Sequence, residues 1–101
     1  MTPRIEITQF QAIPNVGKAT EADLRQLGIS EPIELVGQDP YQMYDKLCQI
    51  TEQQHDPCVI DVFIAAVRFM EGAPAQKWWA YTAERKAHLA LQALNSHKNG
   101  T

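Results

Sequence analysis

The chain reads as all-α, a compact domain of five or six helices, and three observations point there. Ile60, Phe63, Ile64, Val67 and Met70 recur at steps of three or four, the spacing that gathers apolar side chains on one helical face. Asp39-Pro40, Asp56-Pro57 and Ser30-Glu31-Pro32 each set a capping side chain before a proline suited to a first helical turn. No run of alternating β-branched residues competes for a strand. With 101 residues, 45% of them hydrophobic and 21% charged, the chain suffices for one modest core. A single domain spanning 1–101 is therefore expected, with an N-terminal unit over 5–51 and a C-terminal helical pair over 56–95.

Taken in order, residues 1–4 are expected to be a loose leader and 6–12 a short helix. Ile13-Pro14-Asn15-Val16-Gly17 then forms a tight turn, and a helix follows over 18–27. Its buried stripe is Ala19, Leu24 and Leu27, flanked by Val16 and Ile29, and Gly28 suits the left-handed position after a helix end. Ser30 is expected to cap a short helix carrying Ile33, Leu35 and Val36 that breaks at Gly37. Asp39 caps the next, over 40–50, with Tyr41, Tyr44, Leu47 and Cys48 inward. This order of short helix, turn and longer helix makes residues 6–50 a pseudo-duplicated unit whose second copy is degenerate. A polar linker over 52–55 leads to the central core helix, which ends at Gly72. A last helix over 75–94 offers Trp78, Tyr81, Ala87 or His88, and Leu91 for packing, and 95–101 are expected to fray.

The first turn carries the clearest chemistry. A helix that begins after a glycine leaves several backbone N–H groups without intrahelical partners. Aligned peptide dipoles add roughly half a positive charge there, so the end can hold a phosphate without help from any side chain. The candidate nucleic-acid-binding residues are Asn15, Val16, Gly17, Lys18, Ala19 and Thr20, with Lys18 and Thr20 adding side-chain contacts.

Ile13-Pro14-x-Val16-Gly17, followed by Leu24 and Gly28-Ile29, resembles the hairpin and second helix of a helix-hairpin-helix motif. Asp39-Pro40-Tyr41 with Met43-Tyr44, Asp56-Pro57-Cys58-Val59 with Phe63, and Trp78-Trp79 extend the match. Over about residues 10–86 the chain is similar to a small bacterial family of pathogenicity-locus or mitomycin-resistance helix-hairpin-helix proteins. Asn15 stands where the first hairpin glycine is usual, Lys18 where proline is frequent, and Glu21 where a small residue is usual. The resemblance implies tandem helix-hairpin-helix motifs followed by two longer helices, sequence-independent contact with the DNA backbone, and a link to DNA repair or mitomycin resistance.

Charge pulls against tight DNA binding. The net charge is −3, and residues 31–61 set Lys46 against Glu31, Glu34, Asp39, Asp45, Glu52, Asp56 and Asp61. Residues 1–30 are balanced and 62–101 carry +3, so the acidity lies in the middle of the chain, away from the first turn. Non-specific affinity at physiological salt is expected to be no better than ~10⁻⁴ M for the monomer. No apolar run is long enough to span a bilayer, and Arg4 and Glu6 interrupt any signal-like segment, so a cytoplasmic bacterial protein with reduced Cys48 and Cys58 is expected.

Other constellations are weaker. Cys48, His55 and Cys58 have ligand chemistry but lack the paired Cys-x2-4-Cys knuckles of structural zinc sites, and buried packing is the favoured reading. Trp78 and Trp79 point about 100° apart on a helix; one anchors the packing, while the other suits a partner surface, a homodimer contact, or base stacking beside Lys77, Arg85 and Lys86. Glu84 and His88 share a helix face, yet neither Cys58, Ser30 nor Ser96 completes a nucleophile, base and orienting group. The expectation is thus a non-enzymatic DNA-binding protein with no cofactor and no metal. Its alternative is a protein–protein interaction module that docks a larger repair or regulatory protein.

Overall fold

A computed structural model describes the backbone of residues 2–99 and the side chains of 2–95. Four α-helices run over Lys18–Gln26 (α1), Pro40–Thr51 (α2), Cys58–Met70 (α3) and Thr82–Asn99 (α4). Single 3-10 turns at Phe10–Ala12, Pro32–Leu35 and Trp78–Tyr81 precede α1, α2 and α4 respectively. Among the described residues there is no strand, so the all-α class holds, with four α-helices where five or six were expected.

The centre is α3, whose Ile60, Phe63, Ile64, Ala65, Ala66, Val67 and Met70 are buried. A helix apolar on nearly all sides must be covered on nearly all sides. Met43, Tyr44 and Leu47 of α2, Leu24 of α1, and Phe10, Ile13 and Leu35 from the turns complete one continuous hydrophobic cluster. Asp39 caps α2 as expected, its carboxylate accepting from the N–H groups of Tyr41 and Gln42. Asp56 accepts from Cys58 N–H at 2.8 Å where α3 begins.

The short helix expected over 6–12 is replaced by a hydrogen-bonded turn at Ile5-Glu6 and the 3-10 turn Phe10–Ala12. Pro14 disfavours helical backbone at Ile13, which is extended at φ −80°, ψ 130°, and so stops a helix from reaching the hairpin. The leader is not loose either. Arg4 N–H donates to the Met70 carbonyl at 2.9 Å, its Nε to Phe69 at 2.9 Å, and its Nη2 to Ala73 at 2.9 Å. Its guanidinium lies 4.2 Å from the centre of the Phe69 ring, so one arginine bonds carbonyls at and just beyond the end of α3 and sets a positive charge at the negative pole there.

Two other boundaries moved. Glu31, not Ser30, begins the second turn, and Glu34 Oε2 accepts from the N–H groups of both Ser30 and Glu31. The last helix starts at Thr82 rather than near 75, because residues 76–78 are pinned elsewhere by Asn15 and Tyr81 turns into the core. It then continues to Asn99, through much of the tail expected to fray; residues 100–101 lie outside the described part. Ala87 and Leu91 are exposed rather than packed, whereas His88 stacks on Tyr41 at 3.6 Å between ring centres.

The ends of α1, α2 and α3 share one device. Ile29 N–H returns to Leu24, Gln53 to Cys48 and Ala73 to Arg68, each across a residue with positive φ. Those residues are Gly28, Glu52 and Gly72. Only at Glu52, φ +54°, does a Cβ resist the left-handed backbone. Glu52→Gly is expected to raise stability by up to about 1 kcal/mol in denaturant unfolding.

Candidate nucleic-acid interface

The first turn closes with Val16 N–H donating to the Ile13 carbonyl at 3.1 Å while Asn15 takes φ +73°. Asparagine is among the few non-glycine residues that occupy this region readily, which explains how a residue with a side chain can close this turn. Gly17 then caps α1 in extended backbone, and the first helical bond runs from Glu21 N–H to the Gly17 carbonyl at 2.9 Å. The N–H groups of Lys18, Ala19 and Thr20 precede that bond, and Gly17 supplies no side chain to meet them. Gly17, Lys18 and Ala19 are exposed and Thr20 is half-buried.

The other two candidates are used differently. Val16 is a core residue, 6% exposed. The Asn15 side chain is engaged across the fold: Nδ2 donates to the Gln76 carbonyl at 2.7 Å and Oδ1 accepts from Trp78 N–H at 3.2 Å. This amide clamp sets Lys77 and the tryptophans beside the first turn. Asn15→Gly keeps the left-handed backbone and removes both bonds, so stability is expected to fall by about 1–2 kcal/mol in urea unfolding.

The second turn answers the same geometry with carboxylates, one of its own and one from the end of α3. Gly37 has φ +83°, and its N–H donates to Glu71 Oε2 at 3.0 Å. Two residues on, Asp39 Oδ1 accepts from Tyr41 N–H at 2.9 Å and Gln42 N–H at 3.4 Å. Where α1 opens on bare N–H groups, α2 opens on a side-chain anion already in place.

Most cations are committed. Arg25 pairs with Glu21 at 2.8 Å, Arg68 with Glu84, and Lys46 Nζ donates to the Leu27 carbonyl at 3.2 Å. The Glu21 carboxyl is held below the usual carboxylate range by the Gln11 amide and then by Arg25. Among the described residues Lys18, Lys77 and Lys86 carry no ion pair. Lys77 Nζ lies 6.0 Å from the centre of the Trp79 ring, and Trp79 is 59% exposed.

Arg85, grouped by sequence with a phosphate-contacting face, is instead buried against Asp61. Its Nε donates to Asp61 Oδ1 at 3.0 Å and its Nη2 to Oδ2 at 3.3 Å, while the Thr82 hydroxyl donates to Oδ2 at 2.7 Å. Asp61 is fully buried, and its carboxylate holds the Arg85 guanidinium more firmly in the charged form. The signal was legible in part: Asp61 sits beside Ile60 and one turn before Ile64 and Ala65, within an otherwise apolar run.

The remaining constellations disperse. His55 shares a hydrogen bond with the Thr51 hydroxyl at 2.8 Å, and Tyr44 donates to the His55 carbonyl. Hydrogen bonding to Asp56 pushes the Cys58 thiol up, which disfavours the reactive thiolate. Among the described residues no group of three or more His, Cys, Asp or Glu is placed to hold a metal ion. Glu84 faces Arg68 while His88 stacks on Tyr41. No described helix is long and apolar enough to cross a membrane.

The fold and these turns define a small helical protein with two turn-and-helix units, one open at its helix end and one closed by aspartate. The chain belongs to the Pathogenicity locus family, whose model matches residues 4–87. It is 40% identical to a "Mitomycin resistance protein McrB" from Streptomyces lavendulae over 83 residues, 82% of this chain and 79% of that relative. No solved structure matches. The matched segment takes in Arg4, both turns and the Asp61–Arg85 pair, and the family expected from the sequence is borne out.

Proposed function

We propose that this is a non-enzymatic, sequence-independent DNA-binding protein of the helix-hairpin-helix kind, in which Gly17, Lys18, Ala19 and Thr20 capture backbone phosphate. The observation that carries the reading is the contrast between the two units: Asp39 fills the N–H groups that open α2, whereas Gly17 leaves those that open α1 bare and exposed. An oriented set of N–H groups at a positive helix pole binds phosphate without reading base sequence. Lys18 supplies the mobile positive charge, and Asn15 and Val16 hold the turn rather than touch the ligand. One such site gives weak binding, on the order of 10⁻⁴ M at physiological salt. The name of the mitomycin-resistance relative supports placing this activity near DNA damaged by such an agent.

The second reading is a module that docks a larger repair or regulatory protein, favoured by the net charge of −3 and by the closed second unit. Fluorescence anisotropy with a labelled duplex, at low and at physiological salt, separates the two. Capture of one or two phosphates predicts binding that weakens with a log–log slope of about −1 to −2. Absence of binding at low salt favours docking of a protein partner.

A further inference from the structure

We propose that Trp79, with Lys77, is a base-stacking platform that directs the phosphate site toward single-stranded nucleic acid or an unpaired end beside a duplex; this rests on the phosphate-capture reading above. Four features meet here. Trp79 is the exposed member of an edge-on pair with the half-buried Trp78, ring centres 5.5 Å apart, so its indole is braced at one side and open to solvent. Lys77, which has no ion pair among the described residues, lies 6.0 Å from that ring. The Asn15 amide fixes this segment by bonding the backbone of Gln76 and Trp78 at 2.7 and 3.2 Å, so the stretch that carries ring and lysine is tied to the turn that opens α1. The α4-leading turn Trp78–Tyr81 is itself anchored by buried Tyr81, which makes the platform part of the folded body rather than a loose side chain.

The chemistry selects the occupant. An exposed indole can stack on any base because every base has a π-face, but only a base that is unpaired or terminal offers that face. The lysine over the ring and the bare N–H groups of Lys18 and Ala19 supply the two kinds of contact that one strand offers, to base and to phosphate. A paired duplex interior can use the phosphate site but not the ring. An apolar protein partner would use the ring but would not need the lysine.

The test compares a labelled 12-nucleotide oligothymidylate with a labelled duplex whose ends are closed by non-nucleotide linkers, so that it offers no unpaired base, using anisotropy at low salt. Wild type, Trp79→Ala, Trp79→Phe and Gly17→Asp are each checked by circular dichroism. Trp79→Ala is expected to weaken single-strand binding roughly tenfold, within the range known for one stacked base, while duplex binding changes less than about twofold. Trp79→Phe should restore most of the loss, since a smaller aromatic still stacks. Equal effects of Trp79→Ala on both ligands, or none on either, overturn the platform. Loss of both in Gly17→Asp beside an inert Trp79→Ala leaves phosphate capture standing without it. Selective single-strand loss in Trp79→Ala with no change in Gly17→Asp keeps the platform and removes phosphate capture. Failure of wild type to bind either ligand overturns both.

Discussion

Asp61→Ala is expected to lower the unfolding free energy by about 3–5 kcal/mol, a large part of the ~5–15 kcal/mol available to a domain of this size. Asp61 is fully buried on α3 and accepts three hydrogen bonds, from Arg85 twice and from Thr82 once. Removing it leaves the Arg85 guanidinium, 8% exposed, charged and without its counterion. The cost comes from that orphaned charge more than from the lost attraction. A double variant, Asp61→Leu with Arg85→Met, removes both charges and is expected to recover most of the loss, since apolar groups of similar size replace a buried pair at little cost. Urea unfolding followed by circular dichroism measures both. A loss below about 1 kcal/mol for Asp61→Ala would contradict the buried-pair account.

Gly17→Asp should strengthen the fold and weaken DNA binding at once. Gly17 has φ −105° and its Cβ position meets nothing within 4 Å, so neither backbone strain nor crowding demands glycine there. An aspartate would do at α1 what Asp39 does at α2, accepting from N–H groups of the first turn. Capping and the favourable dipole add about 0.3–1 kcal/mol to stability. The same carboxylate occupies the anion site and repels phosphate, with an expected loss of at least about tenfold in affinity, the worth of one charge-assisted hydrogen bond. Thermal unfolding reads the first effect and anisotropy the second. The two move in opposite directions, which a merely destabilised variant cannot imitate.

What the sequence disclosed was local. Asp39-Pro40 and Asp56-Pro57 marked helix starts because cap and proline act within one turn, and the Ile60-to-Met70 spacing identified the core helix because burial follows helical periodicity. The misread parts are governed by partners far along the chain. Arg4 meets Phe69 across 65 positions, Asn15 meets Gln76 across 61, and Asp61 meets Arg85 across 24. These bonds turned a loose leader into an anchor, delayed α4 from 75 to Thr82, and withdrew Arg85 from the surface. At the candidate site, the bare helix end was visible in the glycine itself. Its contrast with the second unit was implicit in the Asp39 cap expected from sequence, and the structure supplied the geometry, with that carboxylate on the N–H groups of Tyr41 and Gln42.

The most direct test of phosphate capture is a titration of a labelled duplex with wild type, Gly17→Ala and Gly17→Asp at about 20 mM salt, chosen so that electrostatic binding is weakly screened. Alanine fits the open space at position 17 and leaves the N–H groups of the first turn unmet, so it should bind like wild type. Aspartate should bind at least about tenfold more weakly while melting at a higher temperature. Equal affinity of all three proteins, or no binding by the wild type, would contradict the claim that the open end of α1 captures phosphate.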